Sequence, residues 1–282
     1  MQQVWVDRWE NSFEKHIYRC DMCGLGFVYP MPSVDSLKTL YNTPTYFIGC
    51  GSGLGYVCYE PPVGWFYELL LQMLRYGATS PLLDIGSATG VFLLLAQQKG
   101  LNGFGIEPSE WAADQAERLG VQTMVGLFEE IAPKLSSESL GSISMSHAIE
   151  HFADPFAVLC ECFRLLCSGG VLGILTVNYA SPRWRNLKKA YSESREHLFY
   201  FTPKSLQLMV EQARFKICYF ATLPSPSPKA WSMGEHFWQR PVRLSRLMSK
   251  WVTWLYKGVL KSILNPNQWS NMILVARKSC RQ

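Results

Sequence analysis

Three groups of residues in this chain could do chemistry. The first is Asp84-Ile85-Gly86-Ser87-Ala88-Thr89-Gly90, joined 17 residues after Gly90 by Glu107. Glycines at that spacing let the backbone pass close to a ligand, and the residues that follow can open a helix with unpaired N–H groups. An acid such as Glu107 at the end of the next strand can accept hydrogen bonds from two ribose hydroxyls. The second group is His147-Ala-Ile-Glu150-His151, two imidazoles around a carboxylate. The third is His197, within Arg195-Glu196-His197-Leu198-Phe199-Tyr200. Imidazole is the side chain whose ordinary titration lies nearest neutrality, so His151 is the candidate general base, with Glu150 or His197 orienting it or its substrate. The spacing His147-x-x-Glu150-His151 also matches an inverted zinc-protease motif. That motif requires a helix where the pattern here predicts a strand end, and no metal is assigned.

The elements that must position these groups follow from hydrophobic periodicity. Residues 81–86, 102–108, 121–126, 142–147 and 169–178 read as short apolar strands, and 89–100, 109–120 and 154–166 as amphipathic helices. Asp154 followed by Pro155, and Thr202 followed by Pro203, mark helix starts. Strands at 215–220 and 271–278 complete the set. Strands alternating with helices mean βαβ units, so the predicted fold is α/β, a doubly wound parallel sheet covered on both faces. All three chemical groups then fall at the C-terminal ends of strands or in the loops beyond them, where ligands of open α/β sheets collect.

Which ligand follows from charge and spacing. A dinucleotide site carries G-x-G-x-x-G around a pyrophosphate, whereas here the glycines are spaced G-x-x-x-G with Asp84 two residues before the first. A buried acid repels phosphate and attracts an ammonium or sulfonium. These features favour S-adenosylmethionine over a nicotinamide dinucleotide, whose oxidoreductase chemistry is the first alternative.

The segments LLDIGSATGVFL, GIEPSEWA, SHAIEHFADP and LLCSGGVLGILTVN resemble, in order and spacing, class I S-adenosylmethionine-dependent methyltransferases. EHLFYFTPKSLQLMVEQARF and YRCDMCGLGFVYPMPSVDSLKTLY resemble the subgroup that modifies quinones, sugars and other small metabolites. The resemblance implies a seven-stranded sheet of order 3-2-1-4-5-7-6 with the last strand antiparallel. It implies that Asp84 organises the methionine end of the cofactor, and that Gly86, Ser87, Ala88 and Gly90 line its backbone path. Glu107 would hold the ribose, Leu127 and Phe128 would stand near adenine, and His147 would lie beside the methyl group. Ala88 stands where the family commonly has glycine, an exchange that costs little provided its φ is negative. The implied activity is methyl transfer to a small-molecule acceptor, with a hydroxyl of a quinone-like lipid or saccharide intermediate foremost. The second alternative is a non-catalytic protein that binds the cofactor or docks on membranes.

Composition bounds the rest. The 282 residues are 48% hydrophobic and 17% charged, enough for a core that needs no disulfide staples. The formal charge of +5 hides an asymmetry: no acid follows Glu235, while nine Lys and Arg do. The stretch 240–264 places Leu244, Leu247, Met248, Trp251, Leu255, Val259 and Ile263 at helical spacing among cations. It could lie on an anionic membrane surface or pack on the core. No groove-reading module points to nucleic acid. Nine scattered cysteines and the absence of an export signal or an 18-residue apolar run suit a cytoplasmic protein, monomer or homodimer. Cys20-x-x-Cys23 is half of a zinc knuckle that His16, Cys50 or Cys58 would have to complete. The expected organisation is a leader over 1–60, a core over 61–221, a basic insertion over 222–270 and a returning strand over 271–282. The leader is expected to be a helical cover with Tyr41, Tyr46 and Phe47 at the pocket mouth.

Overall fold

A computed structural model describes residues 1–9, 13–41, 63–182, 196–223 and 269–279. The amphipathic stretch 240–264, Arg195, Tyr46, Phe47, Cys50 and Cys58 lie outside the described residues.

The centre of the structure is a seven-stranded sheet. Its strands are β4 (Leu82–Ile85), β5 (Gly103–Glu107), β6 (Thr123–Val125), β7 (Leu140–Ser146), β8 (Leu166–Val177), β10 (Phe215–Leu223) and β11 (Asn271–Lys278). They lie side by side in the order β10-β11-β8-β7-β4-β5-β6. β4, β5, β6, β7 and β8 are parallel, and β11 runs antiparallel to both β8 and β10. Counted along the chain this is 3-2-1-4-5-7-6, a Rossmann-like α/β fold.

Alternation along β8 shows why the sheet is covered twice. Leu172 and Ile174 face one side, where Val158, Leu159 and Leu165 of α6 (Pro155–Leu165) and Leu206 and Val210 of α7 (Pro203–Gln212) bury them. Val171 and Leu175 face the other side, against Leu69 and Met73 of α2 (Val63–Arg75), whose neighbour there is α3 (Val91–Gln98). Both faces are apolar because both are covered, so these strands read as continuous hydrophobic runs. The helix starts behave as their residue types dictate. Asp154 accepts from the Ala157 N–H, and Thr202 and Ser205 form a reciprocal cap on α7.

The leader departs from expectation. Among its described residues it forms an antiparallel sheet of β1 (Gln2–Trp9), β2 (Phe13–Arg19) and β3 (Gly26–Tyr29), followed by the short helix α1 (Val34–Tyr41), rather than helix throughout. β9 (Phe199–Tyr200), from the segment after β8, adds a fourth strand, with Phe27 opposite Phe199 and Gly26 opposite Tyr200. The alternation GFVY, with Val28 fully buried, is a strand period that the cysteine-centred reading overlooked. The leader is thus knitted to the segment that carries His197: the Val28 N–H donates to the Leu198 carbonyl at 2.9 Å. Among the described residues, no helix is long and apolar enough to cross a membrane.

Candidate functional site

β4 pairs in parallel register with β5, Asp84 beside Gly105. In-register residues share a face, and so does the residue two further on, so Asp84 and Glu107 project to the same side. Both are buried, at 2% and 4% exposure. Ser144, in register with Asp84 from β7, donates to Asp84 Oδ1 at 2.7 Å. Glu107 accepts from two backbone N–H groups: Ala88 to Oε2 and Ser109 to Oε1, both at 2.9 Å. Those bonds aim the carboxylate and leave further lone pairs on each oxygen. Burial pushes both carboxyls up to about 7. Ser144 works against the rise at Asp84, and the two amides work against it at Glu107. The charge of Glu107 pushes Asp84 up further.

The turn between β4 and α3 is shaped by what a side chain would hit. A Cβ on Gly105 would stand 2.2 Å from Ser87 Oγ, so only glycine there lets the turn lie against β5. Gly90 opens α3 at φ 78°, with no side chain capping the helix N–H groups that follow. Ala88 is the surprise. Its φ is +47°, in the left-handed region, so alanine carries strain where the sequence reading required a negative φ. Close packing of the turn against Glu107, which takes the Ala88 N–H, holds it there. Ser87 Oγ is buried without a hydrogen-bond partner.

The second group sits at the end of β7. His147 also has a positive φ, +52°, and its N–H donates to the Leu175 carbonyl at 2.7 Å. Strained residues at Ala88 and His147 flank the same strand ends, a placement typical of functional sites. Ile149–His151 form a 3-10 turn, not the helix of a zinc protease. Glu150 is fully buried. Thr176 Oγ1 donates to its Oε2 at 2.8 Å, and His147 Nδ1 lies 3.4 Å from its Oε1. Burial alone would raise its carboxyl, but His147, His197 and His151 around it outweigh that effect and hold it down at about 2.

His197 is brought in from the far side of a long connection. Its ring meets that of His151 edge to face at 4.8 Å between centroids. Tyr179, just past β8, places its hydroxyl 2.6 Å from His197 Nδ1. Tyr41, at the end of α1, packs its ring 6.0 Å from His151, and Trp65 of α2 packs 5.9 Å from His147. Tyr179 and Trp65 are contributors that the motif search missed. Neither sits in a recognisable pattern, and Trp65 reaches the site from 82 residues before His147. Leu127 caps α5 (Phe128–Ile131), while Phe128 is 3% exposed and packs on Phe152 in the core.

The donors fit the cofactor that the resemblance implies. Two buried carboxylates without a counter-cation suit an ammonium and a ribose, and Ser87 Oγ awaits a partner. Glu150, His151 and His197 are the described side chains close enough together to hold a metal ion. No such group includes Cys20 and Cys23, which occupy the turn between β2 and β3 as free thiols.

A family model described as a methyltransferase domain matches residues 66–219, more than half of the chain. No curated protein matches by sequence. Among solved structures, the chain is similar to a SAM-dependent methyltransferase from Archaeoglobus fulgidus, at 17% identity over 76% of this chain and 93% of that one, with a TM-score of 0.54. It is also similar to phosphoethanolamine N-methyltransferase 2 from Haemonchus contortus, at 18% identity over 90% of this chain and 62% of that one, TM-score 0.57. A third similarity is to geranyl diphosphate C-methyltransferase from Streptomyces coelicolor A3(2), at 14% identity over 75% and 77%, TM-score 0.53.

Proposed function

Because this chain belongs to the methyltransferase-domain family, we propose that it transfers the methyl group of S-adenosylmethionine to a hydroxyl of a small molecule. The observation that carries this reading is the pairing of two sites on one sheet edge. The buried Asp84 and Glu107 suit a cationic nucleoside, and the histidine–glutamate cluster at the neighbouring strand end suits proton removal.

When bound, the cofactor supplies an electrophilic methyl carbon. The residues of the chain do the rest. Asp84 and Glu107 anchor the two ends of the donor, the first at its amino end and the second at its ribose. The acceptor lies between His147, His151, Tyr41 and Trp65, aromatic walls that exclude water and restrict its orientation. His151 would take the proton of the acceptor hydroxyl, whose oxygen would receive the methyl group that the bound cofactor supplies. Glu150, ionised and buried beneath the cluster, stabilises the imidazolium that forms. Tyr179 holds His197 against His151. Aromatic rings beside buried polar groups suit a quinone-like lipid or a saccharide intermediate.

A dinucleotide oxidoreductase is not favoured, because a pyrophosphate would face the buried Asp84 and the glycines are not spaced G-x-G-x-x-G. The test is a labelled-methyl transfer screen against fractionated cell extract, with mass spectrometry of the product. A product labelled as a methyl ether is expected, and His151→Ala should lower turnover by about 10²–10⁴-fold with cofactor affinity kept. A product labelled only on nitrogen or carbon, or unchanged turnover in that variant, would overturn the hydroxyl and base assignments respectively.

A further inference from the structure

We propose that a cavity between the leader and the core binds an anionic group, a carboxylate or a phosphate, at the end of the methyl acceptor that does not react, and that Arg19 selects for it. The cavity has a volume of about 270 Å³. Arg19, Cys20 and Asp21, at the end of β2 and in the turn that follows, line it from the leader, and Tyr179, Tyr200 and Thr202 line it from the core. Ligand pockets commonly run from roughly 300 Å³ upward, so this one takes a ring or a head group rather than a whole lipid-like molecule.

The chemistry of the lining decides what enters. Arg19 is exposed, and its guanidinium makes no hydrogen bond or ion pair among the described residues. Asp21, the carboxylate of the same wall, has its Oδ2 3.1 Å from the Met1 amino group. The Thr202 hydroxyl is engaged as well: it donates to the Cys23 carbonyl at 2.9 Å and accepts from the Ser205 N–H at 3.1 Å. A planar fork of donors is thus left beside two phenol rings, Tyr179 and Tyr200, which meet edge to face at 4.8 Å between centroids. A guanidinium without a counter-ion pairs two N–H groups with two oxygens of a carboxylate or phosphate. The rings accommodate the apolar body that carries the acid.

Tyr179 ties the cavity to the chemistry. It lines the cavity, its hydroxyl lies 2.6 Å from His197 Nδ1, and the His197 ring meets that of His151 at 4.8 Å. A molecule anchored at Arg19 and extended along Tyr179 comes to the histidines. The leader, joined to the core through β3 and β9, thereby supplies specificity while the sheet edge supplies the reaction. This inference rests on reading His151 as the acceptor side of methyl transfer.

The test needs neither cofactor nor turnover, so its failure leaves the methyl-transfer reading standing. Full-length protein is titrated calorimetrically at low salt with benzoate, with phenyl phosphate and, as the uncharged counterpart, with benzamide. At least one acid is expected to bind at least about fivefold more tightly than benzamide, and which of the two does so distinguishes a carboxylate from a phosphate. Added salt should shrink that preference. Arg19→Gln should remove it, and Arg19→Lys should restore part of it. Because Arg19 is exposed, both variants are expected to keep the parental Tm and S-adenosylmethionine affinity. Ala180→Leu, which narrows the same cavity and leaves Arg19 in place, should weaken all three ligands together. Equal binding of acid and amide, or an acid preference that survives Arg19→Gln, overturns the site. So does parental acid affinity in Ala180→Leu, which would mean an adventitious ion only. Acid binding by a protein that methylates nothing would overturn the proposed function, and with it the ligand's role as acceptor, but not the anion site.

Discussion

The acid pair makes cofactor binding a proton-linked event. Asp84 and Glu107 are pushed up from 3.8 and 4.5 to about 7 each by burial, so below neutrality each holds a proton in the free enzyme. Asp84 must ionise to meet the cationic amino end, and Glu107 must ionise to accept from both ribose hydroxyls. For one carboxyl with pKa near 7, affinity at pH 6 is roughly tenfold below that at pH 8. For two it is roughly 100-fold below, on the order of 3 kcal/mol. The stability of the free protein runs the opposite way. Its folded carboxyls bind protons more tightly than the unfolded ones between about pH 4 and 7, so stability falls as pH rises through that window. The loss for Asp84 alone is on the order of 4 kcal/mol at neutral pH. Calorimetric titration with S-adenosylmethionine at pH 6, 7 and 8, in buffers of different ionisation heat, counts the protons released. Release of between one and two at pH 6 is expected, and Asp84→Asn should reduce the pH ratio to roughly tenfold while weakening binding at every pH. Affinity that stays flat from pH 6 to 8, or uptake of protons on binding, would refute the reasoning.

Other consequences follow from the turn and from the basic tail. Ala88→Gly should relieve left-handed strain of about 1–2 kcal/mol against an unfolded-state entropy cost of about 0.4–1 kcal/mol. The Tm should rise by about 2–4 °C in a thermal melt, and no rise would mean that alanine is unstrained there. Gly105→Ala places a Cβ 2.2 Å from Ser87 Oγ, so the turn must move. Cofactor Kd should rise at least about tenfold by calorimetry, and an unchanged Kd would show that the turn yields freely. If the cationic stretch 240–264 meets lipid, deleting it should abolish co-sedimentation with anionic vesicles. Full-length protein that fails to sediment at low salt removes that idea.

Much of this architecture was legible in the chain, because short-range rules govern it. Leu82–Ile85 and Leu166–Val177 are buried on both faces, so they spell themselves as unbroken apolar runs, and Asp154-Pro155 and Thr202-Pro203 announce helices through their own side chains. Asp84 and Glu107 were identifiable for the same reason. Each sits a fixed number of residues from a glycine-rich turn or a strand end, and parallel register carries both to one face. Long-range packing decided the rest. Whether Ala88 takes a positive φ depends on where Glu107 places its carboxylate, 19 residues away. The place of the leader's third strand was hidden because its outer partner, β9, arrives from beyond residue 198. The meeting of His151 with His197, and of Tyr179 with His197, crosses sheet edge and loop. No periodicity encodes such a meeting, since it follows from which elements stack side by side and from the burial that squeezes water out between them.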